Sequence, residues 1–208
     1  MTANNAGAPL SSAELWNQVD WPTVEAAVYR MQMRIAKSAR EGKWSKVNAL
    51  MRILSRSFYG RLWAVKRITR NKGSRTPGID RVTWNSPGKR WNAAINLKVS
   101  GYSSQPLRRI YIPKKNGQKR PLGIPTLHDR AMQELFALGL RPISETTADK
   151  NSYGFRQCRS LHDAIQMTFI ALAQKVSAQW ILEADIKACF DCISHDWLLE
   201  NIPLPKRV

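Results

Sequence analysis

The first half of the chain repeats apolar residues at helical steps, and the second half mixes that period with shorter alternation. Val24, Ala27, Val28, Met31 and Ile35 recur every three or four residues, which predicts an amphipathic helix ending near Gly42. Trp44, Val47, Leu50, Met51, Leu54, Phe58, Leu62 and Val65 continue the same period, and the two stripes together read as a helical hairpin. Residues 71–80, NKGSRTPGID, hold two Gly and one Pro and predict a loop with tight turns. Two β-prone runs, 107–113 and 120–125, flank the basic stretch KKNGQK and predict a hairpin with a charged tip. Thr126 with Asp129, and Ser160 with Asp163, have the spacing of capping pairs. They open helices through Ala131, Leu135 and Leu138, and through Ile165, Phe169 and Leu172. Residues 180–187, WILEADIK, alternate as a strand does, with Leu182, Ala184 and Ile186 on one face and Glu183 and Asp185 on the other. Ser194 marks a further helix start. The Ala-, Asn-, Ser- and Gly-rich beginning predicts a flexible tail over residues 1–20. No internal repeat is present.

This pattern predicts an α+β fold, and the composition narrows its class. Of the 208 residues 43% are apolar and eight are Trp, enough for a packed core, so disorder is excluded for the chain as a whole. No run approaches the roughly eighteen consecutive apolar residues of a membrane span, and the first residues lack the basic and apolar segments of a signal peptide. Three Cys are too few for a disulfide framework. The expectation is a cytoplasmic protein with no membrane partner.

Charge changes the picture more than composition does. The formal net charge is +18, and it is unevenly placed: residues 1–29 carry −3, residues 30–75 carry +13, residues 76–130 carry +9 and residues 131–208 carry −1. A solvated surface mixes signs, whereas a run this one-sided calls for a polyanion, with nucleic acid first among candidates. Arg52, Arg56, Lys66 and Arg67, around the second stripe, are the bases expected to meet nucleic-acid phosphates.

Asp185 is the sharpest single chemical signal. It falls near the end of a predicted strand, where nucleotidyl transferases hold metal-binding carboxylates, although an isolated carboxylate there more often caps or pairs. Cys189, Cys192 and His195 have the look of half a zinc knuckle, but no second Cys pair exists to complete it. No phosphate-binding GxxxxGK loop, helix-turn-helix or zinc-finger signature is present.

Four stretches, in order, resemble the bacterial group II intron reverse transcriptases, or maturases, from about Trp21 onward. NKGSRTPGIDRVTW (71–84) is similar to the family's N-terminal extension block, and RRIYIPKKNGQKRPLGIPTLHDRAMQ (108–133) to its first fingers block. NSYGFRQCRSLHDAI (151–165) is similar to the second fingers block, and ILEADIKACFDCISHDWLL (181–199) to the palm block with the first catalytic aspartate. The resemblance implies a helical N-terminal extension over residues 21–85, followed over residues 86–208 by the fingers and part of the palm of a right-hand polymerase. It implies that Asp185 and the Ile186 carbonyl are ligands of catalytic Mg²⁺. Phe190 then lies under the incoming sugar and excludes ribonucleotides, while Lys114 and Arg120 fold over the triphosphate. Arg156 meets the template backbone, and the loop at Gly73 to Gly78, with Arg75, covers the template. The implied partners are intron RNA, an RNA template, a DNA primer and deoxynucleotides.

One departure bears on activity. The family's Tyr-x-Asp-Asp box completes the metal site, and this chain has no Asp-Asp pair. The chain alone is therefore expected to be inactive, and a downstream polypeptide completing the palm is an implied partner. A truncated gene, a degenerate intron copy, one piece of a split polymerase and a shortened version of a longer chain all fit the sequence. The alternative is a non-catalytic RNA-binding protein that aids intron splicing.

Overall fold

In the computed structural model, which describes residues 9–115, 117–187 and 189–204, the second apolar stripe is cut at one residue. Ser57 is extended (φ −69°, ψ 142°); its hydroxyl donates to the Leu54 carbonyl at 2.8 Å and accepts the Gly60 N–H at 2.9 Å. That one side chain closes α3 (Trp44–Arg56) and caps α4 (Phe58–Arg70). Gly60 is demanded by the tight junction, since a Cβ there would lie 2.6 Å from the Leu54 carbonyl oxygen. The expected hairpin is thus three helices. The first of them, α2 (Trp21–Arg40), starts at Asp20, whose carboxylate accepts the Thr23 N–H, and ends just before Gly42 at φ +67°.

Part of the expected flexible tail over residues 1–20 is helical. Its first eight residues lie outside the described ones, but α1 (Ser12–Asn17) is a helix opened by a Ser11–Glu14 capping box. Trp16 is buried edge-on against Trp21 at 4.9 Å, and Ser12 donates to Asn92 of α5 (Pro87–Asn96). Burial of a whole indole outweighs the ordering entropy of a single turn.

The core lies where α6 (Leu127–Thr147) packs against α2, α3 and α4. Ile35, Val47, Val65, Leu97, Leu127 and Leu138 have no measurable exposure. Each such aliphatic side chain contributes about 1.5–3 kcal/mol on burial. The helix α6 runs on past Leu138 through Pro142. Proline has no N–H for the Leu138 carbonyl four residues back, and the Gln32 side chain of α2 supplies that donor at 2.8 Å.

Strands β1 (Arg108–Pro113) and β2 (Lys119–Ile124) form the expected antiparallel hairpin, with Ile112 opposite Arg120 and Ile110 opposite Leu122. Among the described residues it is the only sheet. Residues 180–187 therefore correct the expectation of a strand: most of the stretch has no regular structure, and Leu182 is 91% exposed. Alternation makes a strand only where a neighbouring strand takes its backbone hydrogen bonds, and among the described residues none lies beside this stretch. Helix α7 (Leu161–Leu172) has its Ser160–Asp163 capping box, yet buries no residue, so Ile165 and Phe169 stay exposed. The short α8 (His195–Asn201) starts at Ser194, and Leu204 beyond it packs on the core. No helix among the described residues is long and apolar enough to cross a membrane.

Candidate nucleic-acid interface and catalytic segment

The bases of the second stripe do not share one environment. Arg52 and Arg56 stand four residues apart on α3, both exposed. Lys66 instead lies over the Trp21 ring at 4.1 Å and the Trp63 ring at 5.1 Å. Burial, helped by neighbouring Arg70, lowers its pKa from the ordinary lysine value. Arg67 reaches Glu134 of α6 at 3.0 Å, and Glu134 also takes a two-point contact from Arg141 at 2.7 Å. Lys66 and Arg67 thus hold α4 to its neighbours, while Arg52 and Arg56 face solvent.

The glycine- and proline-containing loop is fastened from below. After the 3₁₀ turn Lys72–Arg75, Arg130 of α6 donates to the carbonyls of Gly73 and Thr76, each at 2.8 Å, and to that of Pro125 at 3.0 Å. Gly78 lies so close to the start of α6 that a Cβ would meet the Thr126 backbone at 2.6 Å. The same junction is buttressed by Asp129, which is buried. Its carboxylate accepts from the Thr126 hydroxyl at 2.7 Å, the Tyr102 hydroxyl at 2.9 Å and the Gln105 N–H at 3.4 Å. Burial, then the hydrogen bond to Asp129, raises the Tyr102 phenol to about 12. Arg75 is exposed on this loop.

At the hairpin, Arg120 stands on β2 and Lys114 just past β1, both exposed; the Lys114 N–H closes the tip on the Gln118 carbonyl at 2.7 Å. Arg156 is spent within the protein. Its guanidinium meets Glu145 at 2.7 Å and the Asp149 carbonyl, with the side chain only 7% exposed. That contact lowers the Glu145 pKa. Arg159 likewise holds the Lys150 and Ser152 carbonyls at 2.6 and 2.7 Å. Phe155, immediately before Arg156 and at φ 59°, points wholly into solvent. A bulky residue held in that backbone region carries strain.

Asp185 is exposed, and its Oδ1 accepts the Ile186 N–H at 2.9 Å. Phe190, in the 3₁₀ turn Cys189–Asp191, is 84% exposed. Among the described residues no three His, Cys, Asp or Glu side chains converge on one point. One carboxylate and a neighbouring carbonyl do not fit a pair of magnesium ions, which need several oxygen ligands each. Lys114 and Arg120 thus share the hairpin, Arg156 lies between α6 and α7, and Asp185 and Phe190 lie between α7 and α8.

Sequence reasoning passed over Arg130, Asp129 as more than a cap, and Arg90, whose Nε donates to the Trp84 carbonyl at 3.1 Å. The partners of Arg130 lie up to 57 residues away, so no spacing rule could find them.

Comparison with known proteins finds two successive domain matches. Residues 16–97 match the N-terminal domain of reverse transcriptase, and residues 112–204 match the reverse transcriptase (RNA-dependent DNA polymerase) family. Protein YkfC of Escherichia coli (strain K12) is 34% identical over 185 residues, covering 84% of this chain and 48% of that protein. The group II intron-encoded protein LtrA of Lactococcus lactis subsp. cremoris is 38% identical over 176 residues, covering 82% of this chain and 28% of LtrA. The chain thus spans about half, or less, of the length of these curated relatives. Two successive domain matches, joined by similarity to LtrA across most of the chain, make this protein a member of the group II intron reverse transcriptase family.

Proposed function

We propose that this chain binds intron RNA and template RNA through its basic N-terminal helices, as part of an RNA-directed DNA polymerase that it does not complete alone. The observation that carries the reading is the exposed Arg52–Arg56 face of α3 within a segment of net charge +13. Among the described residues neither side chain makes an ion pair, unlike Arg67, although Arg52 lines a recess that Glu200 also lines, so their charge is open to phosphates. The hairpin residues Lys114 and Arg120 act on the nucleotide triphosphate, and Phe190 on its sugar. Asp185 and the Ile186 carbonyl are partial contributors to a magnesium site that needs further carboxylates. Those carboxylates come from another polypeptide segment, and the exposed apolar residues of α7 and 180–190 support a protein partner on that side. A fingers and palm arrangement, and action in the cytoplasm, belong to the same proposal.

The test is a pair of measurements on the full chain. Affinity for a structured RNA, followed against salt, should fall steeply, and Arg52→Gln with Arg56→Gln should flatten the logarithmic slope by roughly 1.4 to 1.8 units. Lys66→Gln and Arg67→Gln should change it less. Primer extension on an RNA template with Mg²⁺ and deoxynucleotides should be absent. An unchanged slope in a folded Arg52/Arg56 variant rejects the helical interface, and extension abolished by Asp185→Ala rejects the incomplete site. The second reading is an RNA binder that aids splicing without chemistry. It predicts that no added palm segment restores extension.

A further inference from the structure

All three cysteines are exposed, although Cys is among the residue types most often buried. Cys158 lies in the loop between α6 and α7, whereas Cys189 and Cys192 stand three residues apart shortly after Asp185. The 3₁₀ turn Cys189–Asp191 begins at the first of the pair and ends just before the second. Residues three apart eclipse in such a turn, and a rise of about 2.0 Å each sets their Cα atoms about 6 Å apart. Bridged cysteines span roughly 4.4–6.8 Å, so the backbone already brings the two thiols within reach of each other on one side of the turn. His195 opens α8 three residues further on. A structural zinc ion takes four ligands, and among the described residues no three His, Cys, Asp or Glu converge on one point. The pair stands as a dithiol.

We infer that Cys189 and Cys192 are a site of redox modification, at which hydrogen peroxide makes a reversible disulfide whose ring encloses Phe190 and Asp191. One thiolate attacks a peroxide oxygen; an S–O bond forms, the O–O bond breaks and hydroxide leaves. The other thiolate attacks that sulfur; the S–S bond forms, the S–O bond breaks and a second hydroxide leaves. The two thiols give up two electrons, their protons join the hydroxides, and the peroxide ends as two waters. A bridge over so few residues restrains the unfolded chain little and adds little stability. Exposure leaves it open to exchange with other thiols, the behaviour of labile, regulatory disulfides. Its effect is local: Phe190, 84% exposed, loses freedom at the turn. What that does to nucleotide choice rests on the sugar-contacting reading of Phe190 above, whereas the bridge is read by mass, so the two fail separately.

The experiment treats the full-length chain with one equivalent of hydrogen peroxide, alkylates the remaining thiols and weighs the product and its peptides. The chain should be two hydrogens lighter, carry a single alkyl group on Cys158, and regain all three alkylation sites after dithiothreitol. Cys158→Ser should form the same bridge; Cys189→Ser and Cys192→Ser, checked by circular dichroism, should form none within the chain. In a glutathione buffer the folded chain should favour the bridge at least about tenfold more than the same chain in concentrated urea, because the turn holds the pair together. Chymotryptic cleavage after Phe190 should slow severalfold on oxidation and recover on reduction. A bridge to Cys158, linkage between copies, oxidation that stops at one sulfenic or sulfinic acid, or equal preference in folded and unfolded chains overturns the site. Cleavage unchanged with the bridge formed overturns the restraint on Phe190. Stoichiometric zinc that shields both thiols from peroxide assigns the pair to a metal and overturns the inference as well.

Discussion

Replacing Arg130 with Met keeps the aliphatic stem and deletes every donor that joins the loop at 72–78 to α6. Three carbonyls lose a partner: Pro125 and Thr76, which are part-buried, and Gly73, which is exposed. Water replaces the last, so its loss costs little. Each of the other two is a hydrogen bond to a charged group, worth about 1.5–3 kcal/mol, and together they set an upper range of roughly 3–6 kcal/mol. Against this stands the cost of keeping a guanidinium partly out of water, the main influence lowering the Arg130 pKa, which the Met variant recovers. A net loss of about 2–4 kcal/mol is expected after that recovery. With a urea dependence near 3 kcal/mol per molar, the unfolding midpoint should fall by roughly 1 M. Arg130→Lys, with a single ammonium in place of a three-way fork, should fall between parent and Met. Amide exchange should accelerate at the loop before it does in α2. A Met variant whose midpoint stays within about 0.2 M of the parent, with loop exchange unchanged, refutes the clamp.

Two further outcomes follow from named contacts. Ser57→Ala removes the hydroxyl that caps α4 and should cost about 1 kcal/mol in denaturant unfolding. A loss under a few tenths would show that Gly60 finds another acceptor. The Tyr102 phenol is raised to about 12 from an unfolded value near 10. Its contribution is therefore fully present below pH 10 and is lost as pH climbs toward 12. The stability gap between the parent and Tyr102→Phe should narrow over that window; a gap constant with pH places the alkaline loss elsewhere.

Helices α2, α3, α4 and α6, the hairpin and two caps were legible because each is written in residues a few positions apart. Ser57 escaped because it does not disturb the apolar period on either side of it. The helix α5 carried a readable start, Ser86 before Pro87, and Ser11 with Glu14 likewise announced α1 inside the expected tail. Both are short, and their apolar residues gain value only from burial against distant helices. The candidate site was legible in residue type more than in availability. Nothing near Arg67 in sequence foretells Glu134, nor does anything near Arg156 short of Glu145 show that its charge is spent. Residues 180–187 err in the opposite direction, since their alternation is real and what is missing is a neighbour.

The exposed apolar side chains of α7 and the surplus of positive charge also govern how copies of this protein meet in solution. At low ionic strength a molecule of net charge +18 holds others off beyond the reach of sticky contact. Raising salt shortens that repulsion to about 8 Å at 0.15 M and about 3 Å at 1 M, within which Phe169 and Ile170 of one copy can touch those of the next. The protein is thus colloidally safest under the conditions that favour its proposed ligand, and it self-associates where that ligand is released. RNA should act as its solubiliser only up to charge neutrality, where the neutralised complexes lose their mutual repulsion and coalesce.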